Sequence, residues 1–128
     1  MSIYIVQLGS ARLRDEGLRI GTVRRPPRGV PKAEFARRNF YDVWLPILSP
    51  SPELVKAALA ASTDAEWRKV ASKIRKELQG GEAGKVLDLL AALSATTNFS
   101  VGCYCEDESR CHRSVLRELL RERKAHLA

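Results

Sequence analysis

All three cysteines of this chain fall within nine residues, Cys103, Cys105 and Cys111, and His112 and Arg113 follow at once. Thiol, imidazole and guanidinium together supply a nucleophile, a proton carrier and an anion holder. A thiol attacks only as the thiolate, which a helix N-terminus and cationic neighbours favour. Cys111 stands to receive both influences, together with that of His112, a side-chain type that can serve as acid or base near neutral pH. Cys111 and His112 are therefore the candidate catalytic pair, the first as nucleophile or redox centre and the second as acid or base. The plain alternative is buried cysteine acting as a small apolar residue.

A second group of residues could act with them. Net charge is +7, and Arg19, Arg24, Arg25, Arg28, Lys32, Arg37 and Arg38 face only Glu34 as an acid between positions 19 and 38. Such a block attracts anions. Arg24, Arg25, Arg28 and Lys32 are candidate ligand-binding residues, joined by Cys105, Glu106 and Arg113 from the cysteine run. The partner would be a phosphorylated or nucleotide-like small molecule.

Two other readings stay open. Segment 19–38, with Phe35, Phe40, Tyr41 and Trp44 interleaved, could bind nucleic acid through backbone charge and base stacking. No helix-turn-helix, zinc-finger or RNA-recognition signature accompanies it. Alternatively, the cysteine cluster with His112 could form a zinc or redox site, since these donor types suit zinc. A Cys-x-Cys pair plus an adjacent Cys-His departs from usual zinc spacings, so no residue is assigned as a metal ligand. A Cys105–Cys111 disulfide is reachable across its loop, whereas Cys103–Cys105 on one strand would be strained.

The elements that must position these groups follow from the apolar pattern. Ile3 to Leu8 is a short, nearly continuous apolar run closed by Gly9-Ser10, and reads as a buried strand. Leu18 to Val23 is a second strand, entered through Asp15-Glu16-Gly17. Pro26, Pro27, Gly29 and Pro31 then force an extended basic loop. Lys32 to Ser49 is ambiguous, a helical turn and then an irregular lid-like segment. Pro52 behind Ser51 opens a short helix to Ala61. Asp64 to Leu78 is the clearest helix, with Trp67, Val70, Ala71, Ile74 and Leu78 on one stripe and Thr63 and Glu66 at capping-box spacing. Glu82 to Ser94 is apolar on most sides and should be well buried. Phe99 to Cys105 is a third strand, and Cys111 to about Lys124 a final helix with Val115, Leu116, Leu119 and Leu120 inward.

The strand's carboxyl end and the last helix's amino end thus meet, bringing Cys105, Glu106, Cys111, His112 and Arg113 together. Helix N-termini bind anions through free N–H groups. In open α/β sheets ligands bind beyond the strands' carboxyl ends. The arginine loop also leaves a carboxyl end, so parallel strands would open it onto the crevice that holds the thiols.

The chain resembles the YeaO-like proteins, within a superfamily of domains of unknown function. The resemblance rests on Gly17-Leu18-Arg19; Arg24 with Pro27-Arg28-Gly29 and Lys32; Trp44-Leu45-Pro46; Leu48-Ser49-Pro50-Ser51; Glu53-Leu54; Trp67; Glu77-Leu78; and Cys103-Tyr104-Cys105-Glu106 with Cys111-His112-Arg113. In that superfamily an acidic residue often stands two after the first cysteine; here that place is Cys105. The resemblance implies a Rossmann-like fold and a parallel sheet, and no established activity, cofactor or substrate.

A length of 128 residues suits one domain. No apolar run reaches a membrane span and no secretory signal opens the chain, so a cytoplasmic protein is expected. The expected fold is a single Rossmann-like α/β domain, three-layer-like, with a small, mainly parallel sheet flanked by helices. Its expected function is an anion- or nucleotide-directed site with a perturbed cysteine.

Overall fold

The computed structural model describes residues 1–128. Four strands form one sheet: β1 (Ile3–Gln7), β2 (Leu18–Gly21), β3 (Val43–Trp44) and β4 (Phe99–Cys103), in the order β1-β4-β2-β3. Every neighbouring pair is parallel. Ile3 stands opposite Phe99, and Ile20 opposite Val101. β4 is central, and all five of its residues are buried. That is why its sequence is an almost unbroken run of small and apolar residues. The free edge of β1 is covered by the chain's end: Ile3 donates to His126 O and Ala128 donates to Ile3 O.

Four helices complete the domain: α1 (Pro52–Ala60), α2 (Asp64–Gln79), α3 (Gly81–Leu93) and α4 (His112–Glu122). Thr63 caps α2 by accepting from Glu66 N at 3.1 Å, as its sequence spacing predicts. Trp67, Ile74 and Leu78 of α2 pack with Leu87 and Leu90 of α3 and with Val115, Leu116, Leu119 and Leu120 of α4. Ile3, Ile20, Phe99 and Val101 of the sheet join the same cluster. Each fully buried aliphatic side chain here contributes about 1.5–3 kcal/mol.

A second, smaller cluster is built without helix interiors. Leu8, Val23, Tyr41, Cys103 and Cys111 are buried together, with Phe35, Phe40, Tyr104 and Cys105 against them. Tyr41 packs directly against Gly21, where an added Cβ would collide with its ring. This cluster gathers where β4 gives way to the loop before α4. The segment left ambiguous in sequence, 32–49, makes a 3-10 turn at Lys32–Glu34, the two-residue strand β3 and another 3-10 turn at Pro46–Leu48.

Two expectations need correction. α3 is not wholly buried: Leu89 and Leu93 are exposed, because only Ala83, Gly84, Leu87 and Leu90 face the core. Arg19 is not part of a basic surface. It is fully buried and donates to Glu16 at 2.6 and 2.8 Å, with further bonds to Ser10 O and Asn39 O. Ser100 Oγ donates to the same carboxylate at 2.6 Å. Burial pushes the Glu16 pKa up, but hydrogen bonds from Arg19, Ser100 and Leu13 N, with the Arg19 charge, bring it down to about 2. Gly17, between the acid and β2, has φ +72°, and a Cβ there would lie 2.2 Å from Asn98 O. Only glycine fits. No helix is long and apolar enough to cross a membrane.

Candidate functional site

β4 ends at Cys103, and the chain then crosses a loop to a 3-10 turn at Glu108–Arg110 before α4 begins. Asp107 starts that turn, its carboxylate accepting from Ser109 N at 2.9 Å. Cys111 follows in an extended conformation, φ −126° and ψ 153°, as the N-cap of α4. His112 is already helical. This change of backbone conformation between consecutive residues lets both side chains turn to one place. The Cys111 sulfur lies 3.8 Å from His112 Nδ1, and the Cys103 sulfur lies 3.8 Å from that of Cys105. Donor atoms of Cys103, Cys111 and His112 all lie within 4.8 Å of one another. All three are buried, and all three cysteines are free thiols.

The histidine is oriented from behind. Its Nε2 lies 2.7 Å from Thr22 O, and a carbonyl can only accept, so Nε2 carries the proton. Nδ1 is turned to Cys111. The thiols share their protons unequally. Hydrogen bonds from Cys103 and then Cys105 hold the Cys111 thiol well below the ordinary range, helped by His112 and opposed by burial. Cys103 is pushed up by its thiol hydrogen bonds to Cys105 and Cys111, and by burial. Cys105 gains some acidity from the Cys103 bond, but its contact with Cys111 and burial raise it overall. The N-terminal end of α4 adds a partial positive charge beside Cys111.

The cluster forms part of the wall of a cavity of about 420 Å³. Val23, Pro50, Val55 and Leu59 line it with apolar surface, and Arg25 and Lys56 bring positive charge to it, while Arg110, also in the wall, is paired with Asp64 at 2.7 Å. Tyr104 ties the two loops together by donating from its hydroxyl to Arg25 O at 2.9 Å. The start of the arginine loop and the first turn of α4 therefore open onto one space.

The sequence candidates separate within this geometry. Cys105, Cys111, His112, Arg24 and Arg25 line the cavity. Arg24, however, spends its guanidinium on Ser49 O at 2.9 Å and Pro50 O at 3.0 Å, bracing the loop before α1. Arg28, Lys32 and Glu106 are exposed and lie outside the lining. Arg113 is buried behind it, donating from Nη2 to Cys105 O at 2.6 Å, with no partner for Nε. The aromatics of the basic segment are mostly packed rather than displayed. Phe35 meets Tyr41 edge-on at 5.2 Å, and Phe40 meets Tyr104 at 6.3 Å. Trp44 is half-exposed, its indole donating to Val23 O.

Sequence reasoning missed Thr22, whose backbone carbonyl fixes the imidazole, and the α1 residues Val55, Lys56 and Leu59. A backbone acceptor leaves no trace in residue type. Lys56 had one: it is the only basic residue of the alanine-rich α1. Arg110 was visible only as part of a polar loop.

A family model described as the active DUF488-N3 subclade, DUF488-N3a, matches residues 3–124. No curated protein and no solved structure gives a significant match.

Proposed function

The chain belongs to the DUF488-N3a family, a domain of unknown function that takes in the YeaO-like proteins, and from that starting point we propose that it binds a small anionic molecule of the nucleotide class. One observation carries the reading. The cavity beside the cysteine cluster combines an extended apolar wall with the cations Arg25 and Lys56. Its volume of about 420 Å³ lies in the range of small-molecule sites. An inorganic phosphate would engage the cations and leave the apolar wall wet. A ligand that joins a phosphate to a planar ring would use both. Cys111 and His112 are the groups this reading sets against the bound molecule, and any chemistry on it starts from them.

Nucleic acid is the less favoured partner. It would need an open, basic strip with aromatic faces available. Here the aromatics support one another, and Arg19 is buried against Glu16.

Titration calorimetry with a nucleoside monophosphate, the matching nucleoside and inorganic phosphate tests the proposal. The monophosphate should bind tightest, and Arg25→Ala should weaken it by about tenfold, the loss of one charge-assisted contact of ~1.5 kcal/mol. Equal binding of inorganic phosphate would remove the role of the apolar wall. Tighter binding of a mixed-sequence oligonucleotide, falling steeply with salt, would favour the nucleic-acid reading instead.

A further inference from the structure

We propose that Cys103, Cys105, Cys111 and His112 form a tetrahedral site for a soft divalent cation, with zinc the ion they fit best. The argument begins with spacing in three dimensions rather than along the chain. Zinc–sulfur bonds of ~2.3 Å in a tetrahedron set neighbouring sulfurs ~3.8 Å apart, with sulfur–nitrogen edges slightly shorter. Cys103 and Cys105 stand at that separation, and so do the Cys111 sulfur and His112 Nδ1, at 3.8 Å each. The donors of Cys103, Cys111 and His112 lie within 4.8 Å of one another. Cys105 lies outside that compact group; half-buried and 3.8 Å from the Cys103 sulfur, it takes the fourth corner once its side chain turns towards the ion.

The surroundings of the histidine support the same conclusion. A ligating imidazole usually donates its second N–H to a carbonyl or carboxylate, which fixes the tautomer and aims the other nitrogen. Thr22 O does this for Nε2 at 2.7 Å, leaving Nδ1 for the ion. The sequence spacing that argued against zinc assumes continuous helix or strand. Cys111 is extended and His112 helical, so consecutive residues converge. On binding, the thiol protons leave to solvent, and no redox partner is needed.

The inference adds a cation to the cavity's wall and makes Cys111 and His112 its ligands in place of reacting groups; the ion should bind without any nucleotide present. The test uses the full chain without a histidine tag, kept reduced. Elemental analysis should find one zinc per chain. Chelator-stripped protein should take up cobalt(II) one to one, with an intense thiolate charge-transfer band. Cys105→Ser should reduce that band by roughly a third, as one of three thiolates is lost. Cys103→Ser should abolish uptake at equimolar cobalt. Circular dichroism on each variant separates lost ligation from lost fold. Folded, reduced wild-type protein that takes up neither zinc nor cobalt would overturn the site. An undiminished band in Cys105→Ser would overturn the four-ligand assignment. Nucleotide binding is measured on both stripped and loaded protein. If an ion binds and no nucleotide does, the cavity reading alone falls; if a nucleotide binds and no ion does, this inference alone falls.

Discussion

Ser100 and Cys103 lie three residues apart on the same buried strand, and each anchors a buried polar cluster of opposite character. Around Ser100 every strong group has a partner. The Glu16 carboxylate receives Arg19, Ser100 and Leu13 N, and Arg19 also donates to three backbone carbonyls at 2.9, 2.7 and 3.4 Å. Around Cys103 the sulfurs and the imidazole face one another at 3.8 Å, the length of weak sulfur hydrogen bonds. They also border a cavity. The first cluster is closed and ties β2 to β4 and to the chain before β2. The second holds donor capacity that nothing in the protein uses fully. A polar cluster that satisfies itself is architecture; one that leaves soft donors convergent beside a cavity is prepared for something else.

The largest effect should come from opening the closed cluster. Arg19→Met leaves a buried carboxylate without its charge partner, and should cost about 3–5 kcal/mol. The check is a lower urea midpoint at an unchanged slope. A loss under ~1 kcal/mol would mean that the network is not structural and that the contrast with the thiols fails.

Acidity should report the same cluster. The Glu16 pKa is about 2 in the folded protein against 4.5 ordinarily. A depressed carboxylate stabilises the fold above its unfolded value, so this stabilisation is complete above 4.5 and lost as pH falls towards 2. Urea midpoints at stepped pH should fall across that window in the wild type. In Glu16→Gln the fall should be shallower.

Ser100→Ala should be milder, about 1.5–3 kcal/mol for one hydrogen bond to a charged group. The open cluster should respond differently. In chelator-stripped protein, Cys103→Ala should cost only about 1 kcal/mol, the value of a little buried volume. In metal-loaded protein the cost should grow, because only the native chain gains from the ion. At the cavity's edge, Arg25→Ala should leave stability within about 0.5 kcal/mol while weakening nucleotide binding. Thermal denaturation with and without ligand separates those two effects.

How much of this was legible in the chain depends on the kind of signal. The apolar stripe of Trp67, Ile74 and Leu78 and the cap at Thr63 are local patterns, and they specified α2 closely. The run from Phe99, with bulky and thiol side chains alternating with Ser100 and Gly102, likewise marked a strand, which the structure places at the centre of the sheet. The grouping of Cys105, Cys111 and His112 followed from chain proximity, and the structure brings these three to one cavity. β3 escaped because two exposed residues carry no periodicity. Arg19 was read as surface because charge normally is; its partner Glu16 sits across a glycine turn whose geometry depends on Asn98, some eighty residues away. The contribution of α1 to the cavity is purely tertiary, as is Thr22 O. Residue type shows what can react, whereas the orienting contacts come from backbone that any residue could supply.

The central claim is that function resides at the cavity between α1, the arginine loop and the start of α4. Backbone amide shifts of labelled protein, titrated with a nucleoside monophosphate, test it most directly. Changes should concentrate at Val23, Arg25, Val55, Lys56, Tyr104 and Cys111, with His126 and Ala128 unmoved. Shifts confined to Arg28–Arg38, or no shifts at millimolar ligand, would contradict it.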